Sequence, residues 1–379
     1  MTEQIETFKG LGSLTALTTI LTSYSNCKIL VVTGKQSFGL SGASVALKEI
    51  LKGYQAIYFS DFEVNPKLDD AINGVKLALD HKVELIIAIG GGSVLDMAKL
   101  IKAFYCEPGY STQIAKGERA VVDCNIPMIA IPTTAGSGSE ATHFAVVYVD
   151  NKKYSVADNC LLPTRVILDG QLVSSASQSQ KAYNVLDAIS QAIESAWAVG
   201  ATQESQDLAF QSLKISIESF QRYVKDRTAV DAAQSMIEAA YLAGKAINIS
   251  KTTSAHAWSY GFSSLYDIPH GHAVWLTLPK IFQIHNDIET RAERESRGQQ
   301  YFRDTISKLR DVIGIGTDTE VVPFFNQMLN SIGVVAGIAD NLDLSSGQKI
   351  ALSNSANNDR MTNNPVIFSD VQIKWIFEI

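Results

Sequence analysis

Asp187 and Gln191 in LDAISQAIES are four residues apart, which places both on one face of a helix. His256 and Tyr260 in SAHAWSY have the same spacing, and His270 follows in the turn IPHGHA. One carboxylate and two imidazoles suit a divalent ion such as Zn²⁺ or Fe²⁺. Taken singly, each has an ordinary reading as a solvated carboxylate or a satisfied core histidine. A second constellation lies upstream. IIAIGGGSVLDMAK sets Gly90, Gly91 and Gly92 at a strand end, directly before a helix. Glycines there let backbone N–H groups approach a diphosphate, and the helix N-terminus adds partial positive charge. Ser93 suits a helix N-cap or a phosphate donor. A tight strand-to-helix turn would explain the glycines equally well, and the spacing is not GxGxxG. IPTTAGSGSEAT follows the next strand and offers the hydroxyls of Thr133, Thr134, Ser137 and Ser139. Two polar, glycine-rich loops at neighbouring strand ends match where open sheets bind ligands.

These residues need elements to position them. The chain has 379 residues, which suggests two domains. Strand signals at 27–34, 55–62, 84–92, 127–134 and 165–169 alternate with helical stretches such as 67–81 and 94–104. Residues 143–157 read as a hairpin turning at Asp150 and Asn151. This pattern predicts an α/β dinucleotide-binding domain over 1–170. Beyond it, apolar residues recur at helical spacing and strand signals vanish, so 171–379 is expected to be all helix. A net charge of −7 argues against a nucleic-acid partner. No apolar run is long enough for a membrane span, and no secretory signal is seen. The four cysteines, Cys27, Cys106, Cys124 and Cys160, are scattered and read as reduced thiols in the cytoplasm.

In this order, GGGSVLDMAK, IPTTAGSGSE, the Asp187 helix and the His256–His270 pair ending in PHG resemble the iron-containing alcohol dehydrogenases over nearly the whole chain. The family shares its fold with dehydroquinate synthase and glycerol dehydrogenase. The resemblance implies a metal-dependent NAD(P)-linked enzyme with an all-helical metal- and substrate-binding domain, working as a homodimer on small aldehydes or alcohols. It assigns Gly90, Gly91, Gly92, Ser93 and Asp96 to the diphosphate loop. Thr133, Thr134 and Ser137 match the second cofactor loop, Asn65 an Asn-Pro after the second strand, and Lys153 a cofactor-contacting lysine. Asp187, His256 and His270 match three metal ligands. Gln191 stands where iron enzymes have a fourth, histidine ligand and offers only an amide oxygen, which leaves Fe²⁺ against Zn²⁺ open. Tyr260 replaces a second frequent histidine; Tyr260 and His272 are the candidate proton-relay groups. Gly34 stands where NAD-preferring members carry an aspartate that repels a 2′-phosphate. Lys35 beside it would attract one, so NADP(H) is favoured over NAD(H).

Three further stretches, at 189–209, 248–260 and 360–366, resemble the phosphonoacetaldehyde reductase branch, which makes 2-hydroxyethylphosphonate. Lys251, Thr252 and Thr253, with Arg360 or Arg165 as a second cation, are candidates to hold a dianionic phosphonate. A helix cap with a solvated lysine explains the first three equally well. The alternatives are a general lactaldehyde, short-chain alcohol or polyol dehydrogenase, and a nucleotide-binding protein with a degenerate metal site.

Overall fold

Strands β2 (Lys28–Thr33), β4 (Leu85–Gly90) and β5 (Met128–Pro132) carry apolar side chains on both faces, and all but Lys28 are buried. Such strands fit the middle of a parallel sheet covered on both sides. The computed structural model, which describes residues 5–150, 152–316 and 318–379, places them there. With β1 (Glu6–Lys9), β3 (Gln55–Phe59) and β8 (Arg165–Leu168), they form one parallel sheet in the order β1-β8-β5-β4-β2-β3. Edge strand β1 is absent from the sequence reading. Its four residues, ETFK, are too short and too polar to stand out. The hairpin forms from β6 (Phe144–Val149) and β7 (Lys152–Ala157), paired antiparallel. Asp150 takes a left-handed φ of 50° at its turn, and Asn151 lies outside the described residues.

The chain divides into two compact units, Met1–Ala176 with Arg227–Tyr241, and Ser177–Asp226 with Leu242–Ile379. A single cut near residue 170 therefore misses the return of residues 227–241 to the first unit. The reason is local bonding. Gln234 donates to the Leu168 carbonyl and accepts from Gly170 N–H. Glu238 pairs with Lys9 at 2.8 Å, and Tyr241 meets the Thr7 hydroxyl at 3.0 Å.

The second unit is helical, around buried Trp197, Trp258, Trp275, Phe282 and Phe325. Its helices Gln178–Trp197, Ser254–Tyr266 and His270–Trp275 carry the candidate metal residues. Among the described residues, no helix is long and apolar enough to cross a membrane. One expectation is corrected. Cys106 and Cys124 form a disulfide, while Cys27 and Cys160 are free. Folding brings the pair to a Cα–Cα distance of 5.8 Å although 18 residues separate them in sequence. The cysteines thus give no support for a reducing compartment.

Candidate metal centre and nucleotide loops

In the second unit, Asp187, His256 and His270 each offer a ligand atom, all within 4.8 Å of one another. Asp187 Oδ1 lies 3.5 Å from His256 Nε2 and 3.9 Å from His270 Nε2. Ligands on a shared tetrahedral centre at about 2.1 Å stand roughly 3.4 Å apart, close to these spacings. His256 Nε2 is buried and, among the described residues, faces Asp187 Oδ1 at 3.5 Å without a well-formed hydrogen bond. A divalent cation held by both groups would satisfy them. Burial pulls the His256 pKa down, but Glu194 and Asp187 outweigh burial and push it up to about 9. Burial pushes Asp187 up, and His256, His270 and Gln191 outweigh it, so its carboxyl is held below the usual range. A bound cation would take the place of the His256 proton.

Helix packing produces this convergence. A Cβ on Gly271 would lie 1.9 Å from the Tyr183 carbonyl oxygen and 3.0 Å from Asp187 N. Only glycine lets the His270 helix approach the Asp187 helix so closely. Within PHG, nothing local in the sequence marks Gly271 as a packing requirement.

Other expected residues take distinct places. Gln191 sits at the cluster, but its amide Nε2 donates to Asp187 Oδ1 at 3.1 Å. Tyr260 stacks on His270, with ring centroids 6.2 Å apart. His272 instead stacks on Tyr183 and shares its Nε2 with the Val335 carbonyl at 2.9 Å. Arg360 donates to Thr252 Oγ1, and its guanidinium lies 5.7 Å from the Tyr260 ring. Lys251 is exposed in a left-handed conformation just past the Val230–Ser250 helix, φ 61°. It therefore ends one helix; the expected cap at the start of the next belongs to Thr253. Thr253 is buried, accepts from Trp197 Nε1 and donates to Glu194, so its hydroxyl is already used on both sides. Arg165 is in the first unit, bonded to Glu6 and the Tyr24 hydroxyl.

In the first unit, the two glycine-rich loops pack together at the ends of β4 and β5. Thr133 N–H donates to the Gly90 carbonyl. A Cβ on Gly91 would meet Thr134 at 3.1 Å, and one on Gly92 would meet Ser137 Oγ at 2.8 Å. Gly91, not Ser93, is the N-cap of the Gly92–Phe104 helix, because Ser93 already lies in its first turn. Ser93 Oγ instead accepts from the N–H of Asn65, itself left-handed at φ 64°. Asp96 is engaged within the protein. It accepts from Ser139 Oγ at 2.6 Å and from Val146 N–H at 3.0 Å, which ties the loop and hairpin to the helix. Lys99, absent from the sequence reading, reinforces that tie. Its buried ammonium donates to the Ser139 and Phe144 carbonyls and to Thr142 Oγ1. Burial lowers its pKa to about 8 against the pull of Asp96 and Glu140. Lys35, near Gly34, pairs with Asp61 at 2.9 Å, so a carboxylate stands beside the cation expected to attract a 2′-phosphate. Lys153 lies on β7.

The iron-containing alcohol dehydrogenase profile matches residues 6–170, and the profile of that family's C-terminal part matches 181–378. The chain belongs to the iron-containing alcohol dehydrogenase family. Long-chain-alcohol dehydrogenase 1 of Geobacillus thermodenitrificans is 31% identical over 61% of this chain and 59% of its own length. The phosphonoacetaldehyde reductase of Streptomyces viridochromogenes is 26% identical over 67% of this chain and 66% of its own. The chain thus spans about three-fifths to two-thirds of these curated relatives. The structure of sulfoacetaldehyde reductase from Bifidobacterium kashiwanohense in complex with NAD⁺ superposes with a TM-score of 0.80, at 26% identity. That match covers 99% of this chain and 96% of the other.

Proposed function

We propose that this member of the family is a metal-dependent, NAD(P)H-linked aldehyde reductase. Its proposed substrate is a two-carbon aldehyde bearing a tetrahedral anion, with phosphonoacetaldehyde reduced to 2-hydroxyethylphosphonate as the leading case. The carrying observation is the chain Thr252–Arg360–Tyr260–His270, which sets a guanidinium one ring away from a proposed metal ligand. Arginine suits planar, multi-dentate binding of phosphonate or sulfonate oxygens. Two of the relatives act, by name, on acetaldehydes carrying such a group.

Asp187, His256 and His270 hold the divalent metal, Fe²⁺ or Zn²⁺, and Gln191 orients Asp187. When bound, the nicotinamide supplies the hydride and the metal supplies Lewis acidity. Arg360 binds the anion, with Thr252 fixing the guanidinium and exposed Lys251 adding charge at the rim. Tyr260 is the better placed candidate to deliver the proton, since the Val335 carbonyl already engages His272 Nε2. The Gly90–Ser93 and Thr133–Ser137 loops hold the cofactor. The Lys35–Asp61 pair weakens the case for a 2′-phosphate, so NADH and NADPH are both expected to serve. A homodimer belongs to the same reading, and sedimentation tests it.

A general reductase for neutral aldehydes is the second reading, favoured by the likeness to a long-chain-alcohol dehydrogenase. The test is anaerobic oxidation of NADH and NADPH with Fe²⁺ or Zn²⁺, comparing phosphonoacetaldehyde, sulfoacetaldehyde and propionaldehyde. A preference of about a hundredfold in kcat/KM for an anionic aldehyde, worth about 2.7 kcal/mol at the transition state, supports the proposal. Arg360→Met should remove most of that preference by raising KM for the anionic substrate alone. Equal rates with propionaldehyde favour the general reductase, and silence with every aldehyde and metal favours a degenerate site.

A further inference from the structure

Behind His256 runs a chain of hydrogen bonds among buried groups. Glu194 is fully buried, and so is Thr253. Glu194 Oε1 accepts from Ala255 N–H and from Thr253 Oγ1, both at 2.7 Å. Its Oε2 is bonded to His256 Nδ1. Thr253 Oγ1 in turn accepts from Trp197 Nε1 at 2.9 Å. The Trp197 ring is itself packed edge-on against His285 and Phe282.

These bonds have one allowed direction. An indole N–H can only donate, so it occupies a Thr253 lone pair and turns the hydroxyl proton towards Glu194. A carboxylate receiving two donors on Oε1 presents Oε2 as an acceptor, so His256 must donate from Nδ1. When the metal is bound, the lone pair of His256 is therefore on Nε2, the atom 3.5 Å from Asp187 Oδ1. A carboxylate behind a ligating imidazole fixes the ring tautomer and raises its basicity.

We propose that Glu194 is the positioning residue of the metal centre, with Trp197 and Thr253 setting the direction in which it acts on His256. This rests on the metal assignment proposed above. Glu194 does not touch the substrate; it acts through His256. It lies seven residues after Asp187, two helical turns along the same face, so one helix supplies both a ligand and the support for the facing ligand.

The test is Co²⁺ binding by the metal-free full-length protein, measured by chelator competition and by the visible Co²⁺ spectrum. Glu194→Gln keeps the side-chain shape and removes the charge. It should weaken Co²⁺ by roughly ten- to a hundredfold and shift the visible band, with the metal-free protein melting within a few degrees of wild type. Thr253→Val should weaken binding in the same direction by a smaller factor, whereas Thr253→Ser, which keeps the hydroxyl, should bind as wild type. A folded Glu194→Gln protein with wild-type affinity and spectrum overturns the proposal. If Glu194→Gln does not fold, equal Co²⁺ affinity of Thr253→Val and Thr253→Ser overturns it instead. Wild-type protein that binds no Co²⁺ overturns the metal assignment itself, and this inference with it.

Discussion

His285 illustrates what single residues contribute away from the chemistry. Its ring is fully buried between Trp197, Phe302 and Phe368, with Asn364 Nδ2 at 3.4 Å. Burial, opposed weakly by Glu194, pulls its pKa down to about 3. The unfolded chain binds a proton at an ordinary imidazole pKa of about 6.5, so the unfolded state is favoured as pH falls from there towards 3. This group alone should make stability fall by about 1.4 kcal/mol per pH unit through that window. We expect His285→Phe to lose that component. Urea unfolding of both proteins between pH 4 and pH 6.5 checks it, and parallel slopes would show the prediction to be wrong. The sequence carries no mark of this, because a histidine in IFQIHN looks like any helix-end residue. Asp187, His256 and His270, in contrast, were legible as a candidate set from residue type and helical spacing.

At the scale of elements, the candidate metal cluster depends on how closely two helices approach. Gly271→Ala would place a methyl group 1.9 Å from the Tyr183 carbonyl, so the His270–Trp275 helix must move off the Gln178–Trp197 helix. Overpacking of this kind typically costs about 1–3 kcal/mol. Because His270 rides on the displaced helix, the variant should also bind Co²⁺ at least about tenfold more weakly. A melting-temperature and Co²⁺ competition measurement checks both; unchanged affinity in a folded variant would refute the packing argument. The glycine-rich loops follow the same logic, since Gly91 and Gly92 leave space that Thr134 and Ser137 occupy. Strand positions were readable because buried parallel strands are apolar on both faces. Strand β1 was not readable, because its place is fixed only by pairing with β8, far along the chain.

For the whole molecule, the candidate metal ligands all lie in one compact unit and the glycine-rich loops in the other. A ligand that binds only the folded state stabilises what it touches, by about 2.7 kcal/mol at a concentration of 100 Kd. Adding Zn²⁺ or Fe²⁺ to metal-free protein should therefore slow amide exchange in the Gln178–Trp197 and Ser254–Tyr266 helices. NADH should slow it at residues 90–96 and 133–137. Hydrogen-exchange mass spectrometry reads both; metal that leaves the Asp187 helix unprotected would contradict the assignment.

Local pattern was enough for the sequence to determine the fold class, the two glycine-rich loops and the order of motifs that marks the family, and it offered Asp187, His256 and His270 as candidates. The loops and strands are carried by neighbouring residues or by helix and strand periodicity; that the three candidates meet is shown only by the folded chain. Tertiary structure alone decided that residues 227–241 return to the first unit and that Cys106 meets Cys124. It also decided that Asp96 and Lys99 tie the second loop down, and that Glu194 stands behind His256. These are contacts between residues 18 or more positions apart. Hydrogen-bond direction and close approach of backbones leave no periodic trace in the chain, so they become visible only when the elements are packed.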